Sequence, residues 1–403
     1  MSHFIIVGAG QAGATLTETL RKKGFEGQIT IIGAEPVPPY QRPPLSKAYL
    51  LGDMALERLF LRPAAWYDEH SVNLQTDVFA ERIDPDTKKV SLSDGQVLSY
   101  DKLALTTGAE PHRLPAHIGG TLDGVYTVRS LADVDAMKSE FLADRRVLII
   151  GGGYIGLEAA AVAVKLGLKA TLVEMADRIL QRVAAPETSD YFRELHKKHG
   201  TDLIEGVGVK SLLGDDRVNR VQLSDGREIE VDFAIVGVGV APRAELAEAA
   251  GLAIDNGIKT NEMAQTSDSN IFAAGDCASA PLNGAQVRIE SVGNAIDQAQ
   301  IAAINMMGGF EAYIPKPWFW SDQFDVKLQI AGLNAGYTHV VVRGEGSSVS
   351  HWYYRGNTLL AVDAMNDPRA YMVGKRLIEA GKSPAPEMVG DTGMDLKTIM
   401  AAG

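Results

Sequence analysis

Six glycines and two glutamates stand at spacings suited to holding a dinucleotide. Gly8, Gly10 and Gly13 make one Gly-x-Gly-x-x-Gly turn, and Glu35 follows 22 residues after Gly13. Gly151, Gly153 and Gly156 make a second, with Glu174 18 residues after Gly156. In such a turn the first glycine permits a tight bend and the second lets backbone approach a pyrophosphate. The third lets a helix pack closely on a strand. The helix that follows offers free N–H groups and the positive end of its dipole to the phosphates. A carboxylate about 20 residues further on accepts hydrogen bonds from ribose hydroxyls. This chemistry needs a strand before each turn and a helix after it. Residues 4–7, an apolar run too short for a helix, read as a buried parallel strand, and residues 15–23 carry a helical pattern. A strand at 28–32 then leads to Glu35. A glycine turn alone also fits an ordinary βα unit; strand, helix and acid together favour the nucleotide.

The second turn repeats the plan. An apolar strand ends at Ile150, Tyr154 and Ile155 fill the turn, and an Ala-rich helix runs to about residue 166. A strand at 170–173 leads to Glu174. Later landmarks also recur: Gly95 with Gly226, Asp101 with Asp232 and Gly108 with Gly239, all offset by 131 residues. The first glycines of the two turns are offset by 143, so the first copy holds 12 extra residues. They are assigned to segment 36–47, whose five prolines stiffen it and which presents Arg42, Ser46 and Lys47. After the second copy comes a short strand ending in Gly275-Asp276, then a helix beginning near Asn294. From about Pro315 the texture changes to aromatic β-type runs (326–330, 339–343, 348–354 and 358–365) and an amphipathic helix near 369–380. The expected fold is α/β, with two Rossmann-like dinucleotide-binding domains and a C-terminal α+β domain. The first domain is expected to take residues 1–110 and 241–318, the second 111–240 and the third 319–403.

Composition narrows the function. At 403 residues, 46% hydrophobic and 22% charged, this is an ordinary soluble globular composition. A net charge of −12 argues against a nucleic-acid partner, which needs a basic footprint. The most membrane-like stretch, 147–168, contains Glu158, Lys165 and three consecutive glycines, so it reads as strand, turn and helix. No signal-peptide pattern fits before the first strand, and a cytoplasmic location is expected. The single cysteine, Cys277, excludes both an internal disulfide and a redox cysteine pair. The eight histidines lack ligand spacing, so no metal is expected.

Several longer strings carry a family resemblance over nearly the whole chain. They are Gly8 to Gly13, Pro39-Tyr-Gln-Arg-Pro-Pro-Leu-Ser-Lys47, Thr107-Gly108, Gly151 to Glu158, Ile271-Phe-Ala-Ala-Gly-Asp276, Ile289-Glu-Ser-Val-Gly-Asn-Ala295 and Pro317-Trp-Phe-Trp-Ser-Asp-Gln323. Together they resemble the two-dinucleotide flavoproteins of the glutathione-reductase superfamily. Within it they resemble the NADH-dependent ferredoxin reductases of the putidaredoxin-reductase type. The resemblance implies FAD on the first copy and NADH on the second. FAD would be bound by Gly8, Gly10, Gly13, Glu35, Arg42, Lys47, Thr107, Gly108, Arg129, Gly275, Asp276, Glu290, Ser291, Val292 and Trp320. NADH would be held by Gly151, Gly153, Tyr154, Ile155, Gly156 and Glu174. Glu35 would meet the adenosine ribose, Arg129 the pyrophosphate, Asp276 the ribitol chain, and Glu290 to Val292 with Trp320 the isoalloxazine. Lys47 and Glu158 resemble the family's charge pair near flavin N5 and, with Trp320, are the catalytic candidates. A first-turn carboxylate stabilised by the helix dipole is the other reading of Glu158.

Two dinucleotide sites imply hydride transfer, a reaction governed by positioning. Without a cysteine pair the electrons are expected to leave singly for an external carrier. The expected carrier is a two-iron, two-sulfur (2Fe-2S) ferredoxin serving a mono-oxygenase or ring-hydroxylating dioxygenase. Residues 319–403 carry 8 basic and 9 acidic side chains, so the negative charge lies elsewhere. A basic docking patch of Arg288, Lys316, Lys375 and Arg376 near Trp320 is expected. Glu174 suits the 2′-hydroxyl of NADH and repels a 2′-phosphate. The competing functions are an NADH oxidase acting on oxygen or a quinone and a redox-signalling flavoprotein like apoptosis-inducing factor. Oligomeric state is left open.

Overall fold

The computed structural model describes residues 2–402. The chain forms two compact units and passes between them repeatedly. The first takes the chain as far as Gln41, then Ala55–Glu110 and Val240–Pro317; the second takes Arg42–Met54, Pro111–Gly239 and everything from Trp318 onward.

The first unit is built on a five-stranded parallel sheet. Its spatial order is Ile271–Ala273, Lys102–Leu105, His3–Val7, Gln28–Ile32 and Val72–Gln75. The opening strand is apolar throughout because both of its faces are covered. Phe4 and Ile6 pack into a core with Leu16 and Leu20 of helix Gln11–Lys22 and Ala299 and Ala303 of helix Val292–Met306. Ile5 and Val7 point the other way, into a core with Ile83, Val90 and Leu92 of a three-stranded antiparallel sheet. The chain leaves the central strand toward Gln28–Ile32 and later returns on its other side, so a topological switch point lies at the carboxyl end of His3–Val7.

The second unit repeats this arrangement. Its parallel sheet runs Asp202–Glu205, Lys169–Glu174, Arg146–Ile150, Phe233–Val236 and Val125–Thr127. The opening strand and helix of the first copy map onto Arg146–Ile150 and Tyr154–Lys165 at the 143 offset. The strands Lys89–Leu92, Val97–Ser99 and Lys102–Leu105 map onto Arg220–Leu223, Glu228–Glu230 and Phe233–Val236 at the 131 offset. The 12 extra residues therefore fall between the second and third strands of the first copy. The same unit carries a five-stranded antiparallel sheet, ordered Trp318–Gln323, Val326–Gly332, Thr358–Met365, Ser348–Arg355 and His339–Glu345. Helix Pro368–Glu379 covers it through Ala370, Tyr371 and Leu377.

Two elements differ from expectation in detail. The proline-rich segment is not extended throughout: Pro43–Ser46 coils into a 3-10 turn, which two consecutive prolines pre-set at its start. The helix expected near Asn294 begins at Val292, because Ser291 caps it by accepting from the Asn294 N–H. No helix among the described residues is long and apolar enough to cross a membrane.

Candidate functional site

The two glycine turns separate the fold's own needs from another requirement. Gly8 has φ +115°, and a Cβ there would sit 2.2 Å from the Thr106 carbonyl oxygen. A Cβ on Gly13 would sit 2.1 Å from the Gly8 carbonyl oxygen. Both glycines are imposed by backbone in contact with backbone. Gly10 is different: its φ of −102° suits any residue, and a Cβ would meet nothing within 4 Å. The second copy repeats this pattern. Gly151 and Gly156 are blocked at 2.3 and 2.0 Å by the Gly237 and Gly151 carbonyl oxygens, while Gly153, at φ −79°, faces open space. The middle glycine of each turn is thus free of any demand within the chain, as a turn shaped for a phosphate requires.

The helix after each turn keeps its amino end available. Gly10 and Gly153 are the N-caps, neither end has a side-chain cap, and neither first turn holds an acid. Positive dipole ends therefore point out of both turns. In the first unit a cleft of about 450 Å³ opens at the carboxyl ends of the parallel strands, lined by Gly8, Ile32, Ala34, Val78, Phe79 and Thr107. That is where an open α/β sheet takes its ligands. The residues present fit a dinucleotide at each turn.

The remaining residues expected around the first turn divide between the units. Glu35 accepts from the Tyr40 hydroxyl at 2.5 Å, which orients its carboxylate at the end of Gln28–Ile32. Thr107 donates to the Arg243 carbonyl at 2.6 Å, and Gly108, at φ +74°, accepts from the Arg243 N–H. Gly275 has φ +84°, and its N–H is held by the Gln298 side chain at 3.0 Å. Asp276 follows it, and the Asp276 carbonyl accepts from Arg288 at 3.3 Å. Glu290 pairs with Arg288 at 2.6 Å, and Ser291 and Val292 open the following helix. Arg42, Lys47, Arg129 and Trp320 belong to the second unit. There Arg42 donates to the Arg129 carbonyl at 2.8 Å, and Trp320 stacks on Trp318 with ring centroids 5.5 Å apart.

Glu158 is the most unusual group in the second unit. It lies beyond the first turn of its helix, so it is not a cap. Its side chain is 4% exposed and meets Lys47 Nζ at 2.6 Å. Ser46 donates to it at 3.0 Å and Ser321 at 2.7 Å. Burial pushes its carboxyl up, and Lys47, Ser321 and Ser46 oppose that shift. Tyr154 packs its ring against Phe319 and buries its hydroxyl, whereas Ile155 is 43% exposed beside the open turn. Glu174 has a role that spacing did not reveal. Its two oxygens accept from the Gly152 and Ala176 N–H groups at 2.6 and 2.7 Å, so it ties down the glycine turn itself. Arg178, the nearest base, is engaged with Ser189.

Two cations of the expected docking patch bring their own countercharge. Arg288 is 9% exposed and paired with Glu290, and Lys375 pairs with Glu379. Lys316 and Arg376 are exposed. Cys277 is buried, and burial pushes its thiol up, away from the reactive thiolate. Sequence reasoning missed Ser321, Gln323 and His196 around Glu158. The signal was that Ser321 and Gln323 lie in the string Pro317 to Gln323, two apart and so on one face if that string is a strand.

Comparison with known proteins agrees with this arrangement. Residues 2–299 match the pyridine nucleotide-disulphide oxidoreductase family, and residues 318–400 match the reductase C-terminal family. Rhodocoxin reductase of Rhodococcus erythropolis is 42% identical over 98% of this chain and 94% of its own length. Putidaredoxin reductase of Pseudomonas putida is 40% identical over 99% of this chain and 97% of its own. A crystal structure of the covalent putidaredoxin reductase–putidaredoxin complex superposes with a TM-score of 0.97 at 40% identity, covering 100% of this chain and 98% of that one. With duplicated glycine turns, a single buried cysteine and these full-length likenesses, the chain belongs to the pyridine nucleotide-disulphide oxidoreductase family, among its ferredoxin-reductase members.

Proposed function

We propose that this protein is an NADH-dependent ferredoxin reductase. It takes a hydride from NADH onto FAD and passes the electrons singly to a two-iron, two-sulfur ferredoxin that serves an oxygenase. The observation that carries this reading is the pair of middle glycines, Gly10 and Gly153, which the fold does not need and a pyrophosphate does. When bound, the flavin supplies the step from two-electron to one-electron chemistry. The chain's residues supply grip and field.

The Gly8–Gly13 turn and helix Gln11–Lys22 would hold the FAD pyrophosphate, with Glu35 on the ribose and Asp276 on the ribitol. The Gly151–Gly156 turn would hold NADH. There Glu174 holds the turn through the Gly152 and Ala176 N–H groups, and its negative charge would disfavour a 2′-phosphate, which supports NADH over NADPH. Lys47 would offset the charge gained on reduction, held in place by Glu158. Trp320, on the strand opening the C-terminal sheet, would lie along the flavin ring. Residues 1–110 with 241–318 would form the FAD domain, 111–240 the NADH domain and 319–403 the C-terminal domain. Of the four candidate docking cations, Lys316 and Arg376 are the exposed ones and would meet the acidic carrier. Composition and the single buried thiol support a cytoplasmic site of action.

Anaerobic titration with NADH tests the reading. One equivalent should bleach the flavin absorbance, and adding an oxidised 2Fe-2S ferredoxin should restore it while the carrier is reduced. Rapid NADH consumption in air that no ferredoxin accelerates would instead identify an oxidase.

A further inference from the structure

The buried carboxylate of Glu158 ends a hydrogen-bonded chain that runs through the second unit. His196 Nε2 lies 2.9 Å from Gln323 Oε1, Gln323 Nε2 lies 3.1 Å from Ser321 Oγ, and Ser321 Oγ lies 2.7 Å from Glu158 Oε1. All four side chains are buried, His196, Gln323 and Ser321 completely. The proton positions follow from chemistry at one end. An ionised carboxylate only accepts, so Ser321 donates to it and must itself accept from the Gln323 amide. The Gln323 carbonyl then faces His196, whose Nε2 carries the proton. His196 Nδ1 is left to accept from the Thr201 hydroxyl at 3.4 Å. Every donor in the chain points toward Glu158. On its other oxygen the carboxylate meets Lys47 and Ser46.

We propose that His196, Gln323 and Ser321 form a positioning arm that keeps Glu158 ionised and aimed at Lys47. Ser321 and Gln323 sit two apart on strand Trp318–Gln323 and so face the same way, while Asp322 between them turns out toward Lys327. His196 reaches them from helix Pro186–Lys198. Burial holds this histidine down at about 4, so it stays neutral at working pH and hands on a hydrogen bond, not a charge.

The other titratable groups on the elements around Glu158 are engaged elsewhere. On Arg146–Ile150, Arg146 pairs with Asp232 and Glu230. On Lys169–Glu174, Lys169 faces Asp144 and Glu174 holds two N–H groups. On its own helix the Tyr154 hydroxyl is buried one turn earlier, and Lys165 lies in the last turn. Lys47 is therefore the one charged side chain bonded to Glu158, and the arm supplies the remaining stabilisation of the anion.

The inference rests on the reading that Lys47 and Glu158 serve the redox centre, and the test separates the two. In the holoenzyme, Ser321→Ala should slow flavin reduction by NADH about tenfold on the acid limb of the pH–rate profile, the loss expected for one hydrogen bond to a charged group. The loss should shrink as pH rises, because the acid limb has moved to higher pH. Thermal stability should show the opposite trend, since the missing donor matters only where Glu158 must be ionised: the Tm deficit should widen from pH 5.5 to 8.5. Ser321→Thr should restore both profiles, and Gln323→Leu should shift them the same way as Ser321→Ala. A Tm deficit equal at every pH, with the rate profile unmoved, would overturn the arm, because a hydroxyl that only fills space acts so. If Glu158→Gln leaves NADH reduction untouched while Ser321→Ala still widens the Tm deficit with pH, the arm stands and the redox assignment of the pair fails.

Discussion

Gly10→Ala and Gly13→Ala place the same methyl group three residues apart and should fail in different ways. At Gly13 the new Cβ would lie 2.1 Å from the Gly8 carbonyl oxygen and 3.0 Å from Thr106 Oγ1. Ordinary contact begins near 3.4 Å, so helix and turn must part by more than an ångström with no flexible side chain to yield. Overpacking of this kind costs about 3 kcal/mol. For units of 150–250 residues that lowers Tm by about 6–12 °C. At Gly10 the extended backbone accepts alanine, and the methyl meets nothing. Lower chain entropy in the unfolded state and a poorer N-cap nearly cancel, leaving a net effect within about 0.5 kcal/mol. The cost appears only when a phosphate must reach the turn. Losing one charge-assisted hydrogen bond to it weakens FAD binding by about 10- to 100-fold. Melting should be measured on flavin-free protein, because a ligand that binds only the folded state raises Tm by itself. FAD affinity then comes from fluorescence quenching on titration. Gly153→Ala is the internal control, raising KM for NADH while flavin content stays at the parent level. Parental FAD affinity in Gly10→Ala, or flavin-free melting as low as that of Gly13→Ala, would refute the division of labour among these glycines.

A buried carboxyl should set part of the acid response. Asp363 accepts from Thr188 at 2.9 Å and from Tyr353 and is pushed up to about 6 by burial, so its contribution to stability falls as pH rises from about 4 to 6. His196 and His351, held down at about 4 by burial, act oppositely over much of that range, since the unfolded chain protonates them first. Asp363→Asn should leave the histidines unopposed and steepen the rise of stability between pH 4 and 6, by roughly 3 kcal/mol over the interval; parallel Tm–pH curves for variant and parent would contradict this. At the surface, Lys316→Glu with Arg376→Glu should slow ferredoxin reduction several-fold at low salt, with the difference closing as ionic strength rises. Stopped-flow rates that stay at the parent value would place docking elsewhere.

Much of the fold was legible because it rests on short-range rules. Apolar runs marked strands covered on both faces, glycines marked tight turns, and the constant offset between Gly95 and Gly226 marked the duplication. Four of the five C-terminal strands were legible from β-branched and aromatic runs, and their edges moved by only a residue or two, whereas Trp318–Gln323 was not read as a strand. What stayed hidden depends on partners distant in sequence. Ser321 and His196 are 125 positions apart and look ordinary one at a time. Thr188 and Asp363 meet only in the folded core. Arg288 was read as a surface cation because charge counts carry no information on burial, and its pairing with Glu290 emerged only with the strand and loop around it. Glu174 was found through its spacing, but its hold on Gly152 follows from the turn's geometry.

Helix Gln11–Lys22 and helix Val292–Met306 share one apolar core, yet about 270 residues separate them along the chain. A ribosome adding about 5–20 residues per second needs tens of seconds to cover that interval. Throughout it Leu16 and Leu20 lack the alanines that will enclose them, and for most of it the sheet lacks its Ile271–Ala273 edge. Biosynthesis of the first unit is therefore a waiting problem: its first glycine turn is made long before the helix that completes the scaffold beneath it.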